Sequence, residues 1–271
     1  PFLFGRVIGQ TGNSGLLEFG HHADPAYTNF GVMDRAYSYS KRYTAFLYND
    51  STFGRRYVSV FDATTNTFTN PMVVWDNAFQ LRTAAFGRVC VDNNGVVTVF
   101  TTGNDTSAFF ANPQLYATQF DCDTGTYLRG PTQISPDFAQ ADNFNNNMFN
   151  VEVLQAVSGQ LSVLYFHTDD FDTNDFATVL HAVSYDAATD TWAAPVRVDN
   201  EFDDVSGIPI GFNTGAGDGF VCDTDGRSFQ LVFWQTEDDT LLADRRLYSR
   251  RLDTSAGLNF DAAAILYNVD R

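Results

Sequence analysis

Carboxylates are the residues with which this 271-residue chain could do most chemistry, since 33 acidic residues face only 16 basic ones and the formal charge is −17. Asp34, Glu152 and Asp218, with Arg35 and Arg88, fall on or beside segments read below as inner strands. If they converge, they supply what glycosidic hydrolysis requires: one carboxyl to protonate the leaving oxygen and a second to act as base or nucleophile. A second set, His167, Asp169, Asp170, Asp172 and Asp175, has the oxygens a calcium ion would want but lacks the D-x-D-x-D-G spacing of a calcium loop. Those residues read as surface acidity, so no metal and no cofactor is expected. Aromatic residues beside amides and carboxylates, at Phe144, Phe171, Asp172, Asn174 and Trp234, suit a binding surface for a sugar or a protein. His21-His22 and His181 complete no Ser-His-Asp order, and the chain has no glycine-rich phosphate loop.

Composition narrows the partners. A charge of −17 opposes phosphate backbones, which argues against nucleic acid. No run of about 18 apolar residues occurs, so no membrane span is expected. Pro1-Phe2 offers neither an initiator Met nor a basic leader, and the chain reads as processed or as a fragment. Glu18, Glu152, Glu201 and Glu237 are the only glutamates and Lys41 the only lysine. An excess of Asp over Glu fits strands and turns rather than helices. Cys90, Cys122 and Cys222 form no C-x-x-C pair and read as small buried residues, with room for one disulfide at most. The sequons at Asn49 and Asn104 fall in expected loops.

One other set of carboxylates recurs. Phe61-Asp62-Ala63-Thr64-Thr65-Asn66-Thr67-Phe68 is followed by Phe120-Asp121-Cys122-Asp123-Thr124-Gly125-Thr126-Tyr127 and Tyr185-Asp186-Ala187-Ala188-Thr189-Asp190-Thr191-Trp192. A weaker copy starts at Leu252-Asp253, where the second aromatic slips to Phe260. A carboxylate at one place in each copy is a structural device: Asp62, Asp121, Asp186 and Asp253 are read as turn-forming, with Asn, Gly or Asp taking a left-handed backbone. An alternating run precedes each turn, and a proline with a further short strand follows the first three. Upstream lie more apolar segments, 43–48, 96–100, 161–166 and 229–234, each preceded by another strand candidate. The unit is therefore four strands, A to D, repeated four times.

The repeated hairpin resembles two propeller families: kelch repeats, with their aromatic-Asp…Thr…Trp ending, and the Asp-box repeats of sialidase-like proteins, with Ser-x-Asp-x-Gly-x-Thr-Trp. Ser184 to Trp192 is the nearest copy to both. The chain has no Gly-Gly doublet, its Asp-to-Thr spacing is one residue longer than in an Asp box, and the sialidase Arg-Ile-Pro motif is absent. The resemblance implies an all-β propeller of four-stranded antiparallel blades over 27–271, four- or five-bladed or part of a larger ring, with 1–26 as an arm or closing strand. Such an architecture puts the Asp turns at one end of each sheet. At the other end lie the expected loops 49–54, 103–113, 167–178 and 235–244, with the connections 77–82, 136–147 and 200–213. The function expected from this is extracellular, cell-surface or virion-surface recognition of a glycan or protein without catalysis. Its alternatives are a sialidase-like glycoside hydrolase and a structural component of a larger assembly.

Overall fold

Short runs rich in Val, Tyr, Phe and Thr, alternating in polarity and divided by turns bearing Asp, Asn and Gly, favour antiparallel meanders. A computed structural model describes residues 2–6, 16–21, 30–50, 55–75, 87–103, 114–135, 148–155, 159–172, 175–197, 210–211, 221–224, 229–238, 246–253, 259–260 and 264–268. Every regular element among these described residues is a β-strand. The chain divides into two compact units, Pro1–Ala108 with Leu115–Gln133, and Phe109–Gln114 with Ile134–Arg271.

In the first unit, β1 (Phe2–Arg6) pairs with β2 (Leu16–His21). A meander follows, made of β3 (Phe30–Tyr37), β4 (Tyr43–Asp50), β5 (Arg55–Asp62) and an outer strand in two pieces, β6 (Thr67–Phe68) and β7 (Met72–Trp75). A second meander is β8 (Gly87–Val91), β9 (Val96–Gly103), β10 (Gln114–Asp121) and β11 (Thr126–Gln133). In the second unit, β12 (Met148–Gln155), β13 (Leu161–Asp172) and β14 (Asp175–Asp186) carry a split outer strand, β15 (Thr191–Trp192) and β16 (Val196–Arg197). The last sheet has β17 (Ile210–Gly211) and β18 (Val221–Thr224) on β19 (Phe229–Asp238), then β20 (Arg246–Asp253) with β21 (Asn259–Phe260) and β22 (Ala264–Asn268). The all-β, four-strand unit read from the sequence is thus present four times. Pro71 and Pro195 stand at breaks of the outer strand. Pro131, expected to start a strand, instead lies inside β11, because that strand is at the sheet edge and shifts register opposite the step from Ala117 to Gln119.

One turn closes the third and fourth strands of the sheets. Asp62 Oδ1 accepts from the Thr64 N–H (2.7 Å), Asp121 Oδ1 from the Asp123 N–H (2.8 Å) and Asp186 Oδ1 from the Ala188 N–H (2.8 Å). Asn66, Gly125 and Asp190 take positive φ of 58°, 67° and 56°. The third loop residue and the first residue of the next strand bear the same hydroxyl pair, Thr65–Thr67, Thr124–Thr126 and Thr189–Thr191, each 2.8 Å apart. The flanking aromatics are cross-strand partners, Phe61–Phe68, Phe120–Tyr127 and Tyr185–Trp192, with centroids 5.1, 4.7 and 5.0 Å apart. Each such pair contributes about 0.5–1.5 kcal/mol beyond its burial. In the fourth sheet the longer loop still brings Leu252 opposite Phe260 and Asp253 opposite Asn259, so the slip in sequence preserves the pairing.

Side-chain alternation builds the core of the first unit from Tyr43, Ala45 and Leu47 of β4, Val58 and Val60 of β5, Val89 and Val91 of β8, and Val97 and Val99 of β9. The two meanders meet here through β3 and β4 against β8. Tyr48 and Tyr57 stack across β4 and β5 in a separate buried cluster, with centroids 5.6 Å apart. In the second unit Val151, Leu161, Val163, Ala182 and Val183 are buried, and Tyr165 stacks on His181 at 5.5 Å.

Gly95 and Gly125 separate two reasons for glycine. Both have positive φ, but a Cβ on Gly95 would lie 2.6 Å from Cys122 Sγ and 3.2 Å from the Tyr43 ring, whereas one on Gly125 meets nothing within 4 Å. Gly125→Ala should therefore cost about 1–2 kcal/mol, the left-handed backbone alone. Gly95→Ala should cost roughly 3 kcal/mol or more, because overpacking adds to it. Urea midpoints of the two variants check the order.

Candidate functional site

The turn end of the first unit carries a network of charged and aromatic side chains. Arg42, just before β4, donates from Nη2 to Asp62 Oδ2 (2.8 Å) and from Nε to Asp62 Oδ1 (3.2 Å), a two-pronged charged pair. Its guanidinium lies 4.4 Å over the Tyr43 ring and 3.9 Å from Asp123. The Tyr43 hydroxyl donates to Asp123 Oδ1 (3.3 Å), the Ser40 N–H to Asn93 Oδ1 (2.7 Å), and the Cys122 N–H to the Gly95 carbonyl (3.0 Å). The first two bonds tie turns of the first meander to turns of the second, and the third joins two turns within the second.

The Arg42 hydrogen bonds hold the Asp62 carboxyl well below the usual carboxylate range, at about 2. Burial is the main cause that pushes Tyr43 up to about 12, with the Cys122 and Asp123 charges adding to it. At neutral pH Asp62 is therefore a carboxylate and Tyr43 a neutral donor, an arrangement that binds and orients but offers no carboxylic acid at Asp62 for proton donation.

Beside this network runs an open groove of about 650 Å³, between the β6–β7 edge and the β10–β11 turn. Asp62, Phe68 and Asn70 line one side; Asp123, Thr124 and Tyr127 line the other. Tyr127 packs against Phe120, and its hydroxyl donates to the Val73 carbonyl, so its ring bridges the two meanders while staying 53% exposed.

The residues suggested for hydrolysis are distributed differently. Asp34 and Arg35 are in β3, Arg88 in β8 and Glu152 in β12, all on the first strands of their sheets. Asp34 Oδ2 accepts from the Val89 N–H (2.9 Å), a bond that joins β3 to β8. Arg35 is exposed on β3, and Glu152 belongs to the second unit, with its backbone opposite Leu164. Asp218, Phe144 and Asn174 lie outside the described residues. Trp234 is in β19 opposite Tyr248, and Asp253 ends β20.

Phe171 and Asp172 fall in β13. The segment 167–178, expected to be a loop, is a paired ribbon that continues from His167 opposite Val179 to Asp172 opposite Asp175. Met148, opposite His167, is the first residue of β12, so residues 168–172 run past the described β12. Among the described residues no group of three or more His, Cys, Asp and Glu is placed to hold a metal. Cys90 and Cys122 are free and buried, and burial raises both thiols to about 12, which makes them inert. Sequence reasoning missed Arg42, Tyr43, Asn70 and Asp123 as a group, because their contacts join different turns.

No protein-family model matches the chain, and no curated protein matches it. Among solved structures it is similar over 88% of its length to Kuenenia stuttgartiensis hydrazine synthase (12% identity, TM-score 0.48) and over 89% to an ulvan lyase, a polysaccharide lyase (10% identity, TM-score 0.48). It spans 55% and 58% of those two chains. It is also similar over 90% of its length to endo-arabinase from Bacteroides thetaiotaomicron, covering 83% of that chain at 12% identity with a TM-score of 0.47. With TM-scores below 0.5, these likenesses assign neither a fold family nor an activity.

The Arg42–Asp62 pair predicts a specific acid response. Asp62 has a folded pKa of about 2 against roughly 4 unfolded, so its contribution is present above pH 4 and is lost as pH falls through 2. Asp62→Asn keeps the oxygen that accepts from Thr64 and removes the charge. Its deficit in melting temperature at pH 6 should therefore shrink steadily between about pH 4 and pH 2, as followed by thermal melts across that range.

Proposed function

We propose that the four sheets are propeller blades and that the chain is a non-catalytic recognition module, acting outside the cell or on a cell or virion surface. It binds a glycan at the end opposite the Asp turns. One observation carries the propeller reading: within each unit the first strands of successive sheets are neighbours, β3 beside β8 and β12 beside β18, as radial arrangement about an axis requires.

The binding reading follows from the division of labour along each sheet. At the turn end of three sheets the same carboxylate, hydroxyl pair and aromatic pair recur, and the bonds they have in common close the hairpin itself. At the other end β13 and β14 are each 12 residues long against eight for β4 and β5 or β9 and β10, so this ribbon extends a rigid sheet. Phe171 supplies an aromatic face for the C–H side of a sugar ring, and Asp172 and Asn174 supply acceptors and donors for its hydroxyls.

A glycan array of the purified chain, with released sugars assayed in the same wells, tests this. The expected result is binding without release, weakened about tenfold by Phe171→Ala at unchanged melting temperature. Release of sugar would replace the reading with hydrolysis.

A further inference from the structure

We infer that the groove between the β6–β7 edge and the β10–β11 turn is a second ligand site, selective for a neutral oligosaccharide. Its volume of about 650 Å³ falls within the roughly 300–1,000 Å³ of small-ligand clefts. Its walls come from two different sheets of the first unit, locked together by Tyr43–Asp123 and Ser40–Asn93. A ligand therefore meets a surface that is already formed, which lowers the ordering cost of binding.

The chemistry of the walls selects the ligand. Tyr127 is exposed yet fixed at both ends, by Phe120 against its ring and by the Val73 carbonyl at its hydroxyl. A fixed, accessible aromatic face is a platform for the apolar side of a pyranose or furanose ring. Across from it Asn70 is exposed with an amide that both donates and accepts, and Asp123 and Thr124 add acceptors and a hydroxyl on the near wall. A polyol, with a donor and an acceptor on every hydroxyl, satisfies such a set.

Charge sets the rest of the specificity. Asp62 and Asp123 put carboxylates on both walls, and the guanidinium beside them is already committed to Asp62 by its Nε and Nη2 contacts. Arg42 does not line the groove, so a uronic acid or sulfated sugar would meet the Asp62 and Asp123 carboxylates with no cationic side chain on either wall, which disfavours anionic glycans. The Thr pairs recur at Thr189–Thr191 and belong to the turn, whereas Asn70 has no equivalent in the third copy, where Ala194 stands at the corresponding place.

The test uses the intact chain carrying Phe171→Ala, so that loss of the site on the β13–β14 ribbon is separated from loss of this one. Titration calorimetry with short neutral oligosaccharides and with oligosaccharides of uronic acids is the readout. The inference expects a neutral oligosaccharide to bind this background, its affinity to fall about tenfold with Asn70→Ala or Tyr127→Ala, and the uronic-acid series to bind at least tenfold more weakly. Asn70 is exposed, so its variant keeps the test valid if Tyr127→Ala loosens the Phe120 contact. Absence of binding by every neutral sugar, equal binding of the uronic acids, or an affinity indifferent to Asn70→Ala would overturn it.

Discussion

The hydrogen bond from a backbone N–H to the carboxylate that begins the outer hairpin of three sheets is the constraint on which the rest depends. A four-residue loop between paired strands must reverse the chain while leaving one residue in a left-handed conformation. The carboxylates of Asp62, Asp121 and Asp186 satisfy an early N–H of the loop, and Asn66, Gly125 and Asp190 supply the residue that tolerates the backbone. Once this loop closes, register follows, and register is what brings each pair of flanking aromatics into contact. A one-residue slip would send Phe68, Tyr127 or Trp192 to the other face.

From that local rule the packing of the first unit follows. Within the first meander Arg42 holds Asp62, within the second Gly95 sits beneath Cys122 without a side chain, and the two stand close enough for Tyr43 to reach Asp123. The same cluster that fastens the sheets also shapes the groove beside them. Asp62 therefore closes a turn, fixes Arg42 and stands on one wall of that groove.

Local features were legible in the sequence and long-range ones were not. The repeat, the four-strand unit and the slipped aromatic at Phe260 could be read because each depends on residues within a single hairpin. The ribbon at 167–178 was expected to be a loop, since Asp169, Asp170, Asp172 and Asp175 interrupt its apolar alternation; cross-strand pairing to β14 overrides that local signal. Asp34 was grouped with Glu152 for chemistry, but its carboxylate takes the N–H of Val89, 55 residues away, a partner no spacing could announce. Arg42 and Asp62, and still more Tyr43 and Asp123 at 80 residues apart, were invisible for the same reason.

The central claim is that the repeated carboxylates serve the fold while recognition belongs to other residues. Asp121 isolates it, because its Oδ1 accepts from two loop N–H groups, at Asp123 and Thr124. The decisive measurement is the urea midpoint of Asp121→Ala alongside its affinity for whichever glycan the intact chain retains. The account predicts a loss of about 1 kcal/mol in stability, as for a lost backbone cap, with affinity unchanged under conditions where the variant is folded. A variant as stable as the parent that no longer binds, or that loses the power to release sugar, would contradict it.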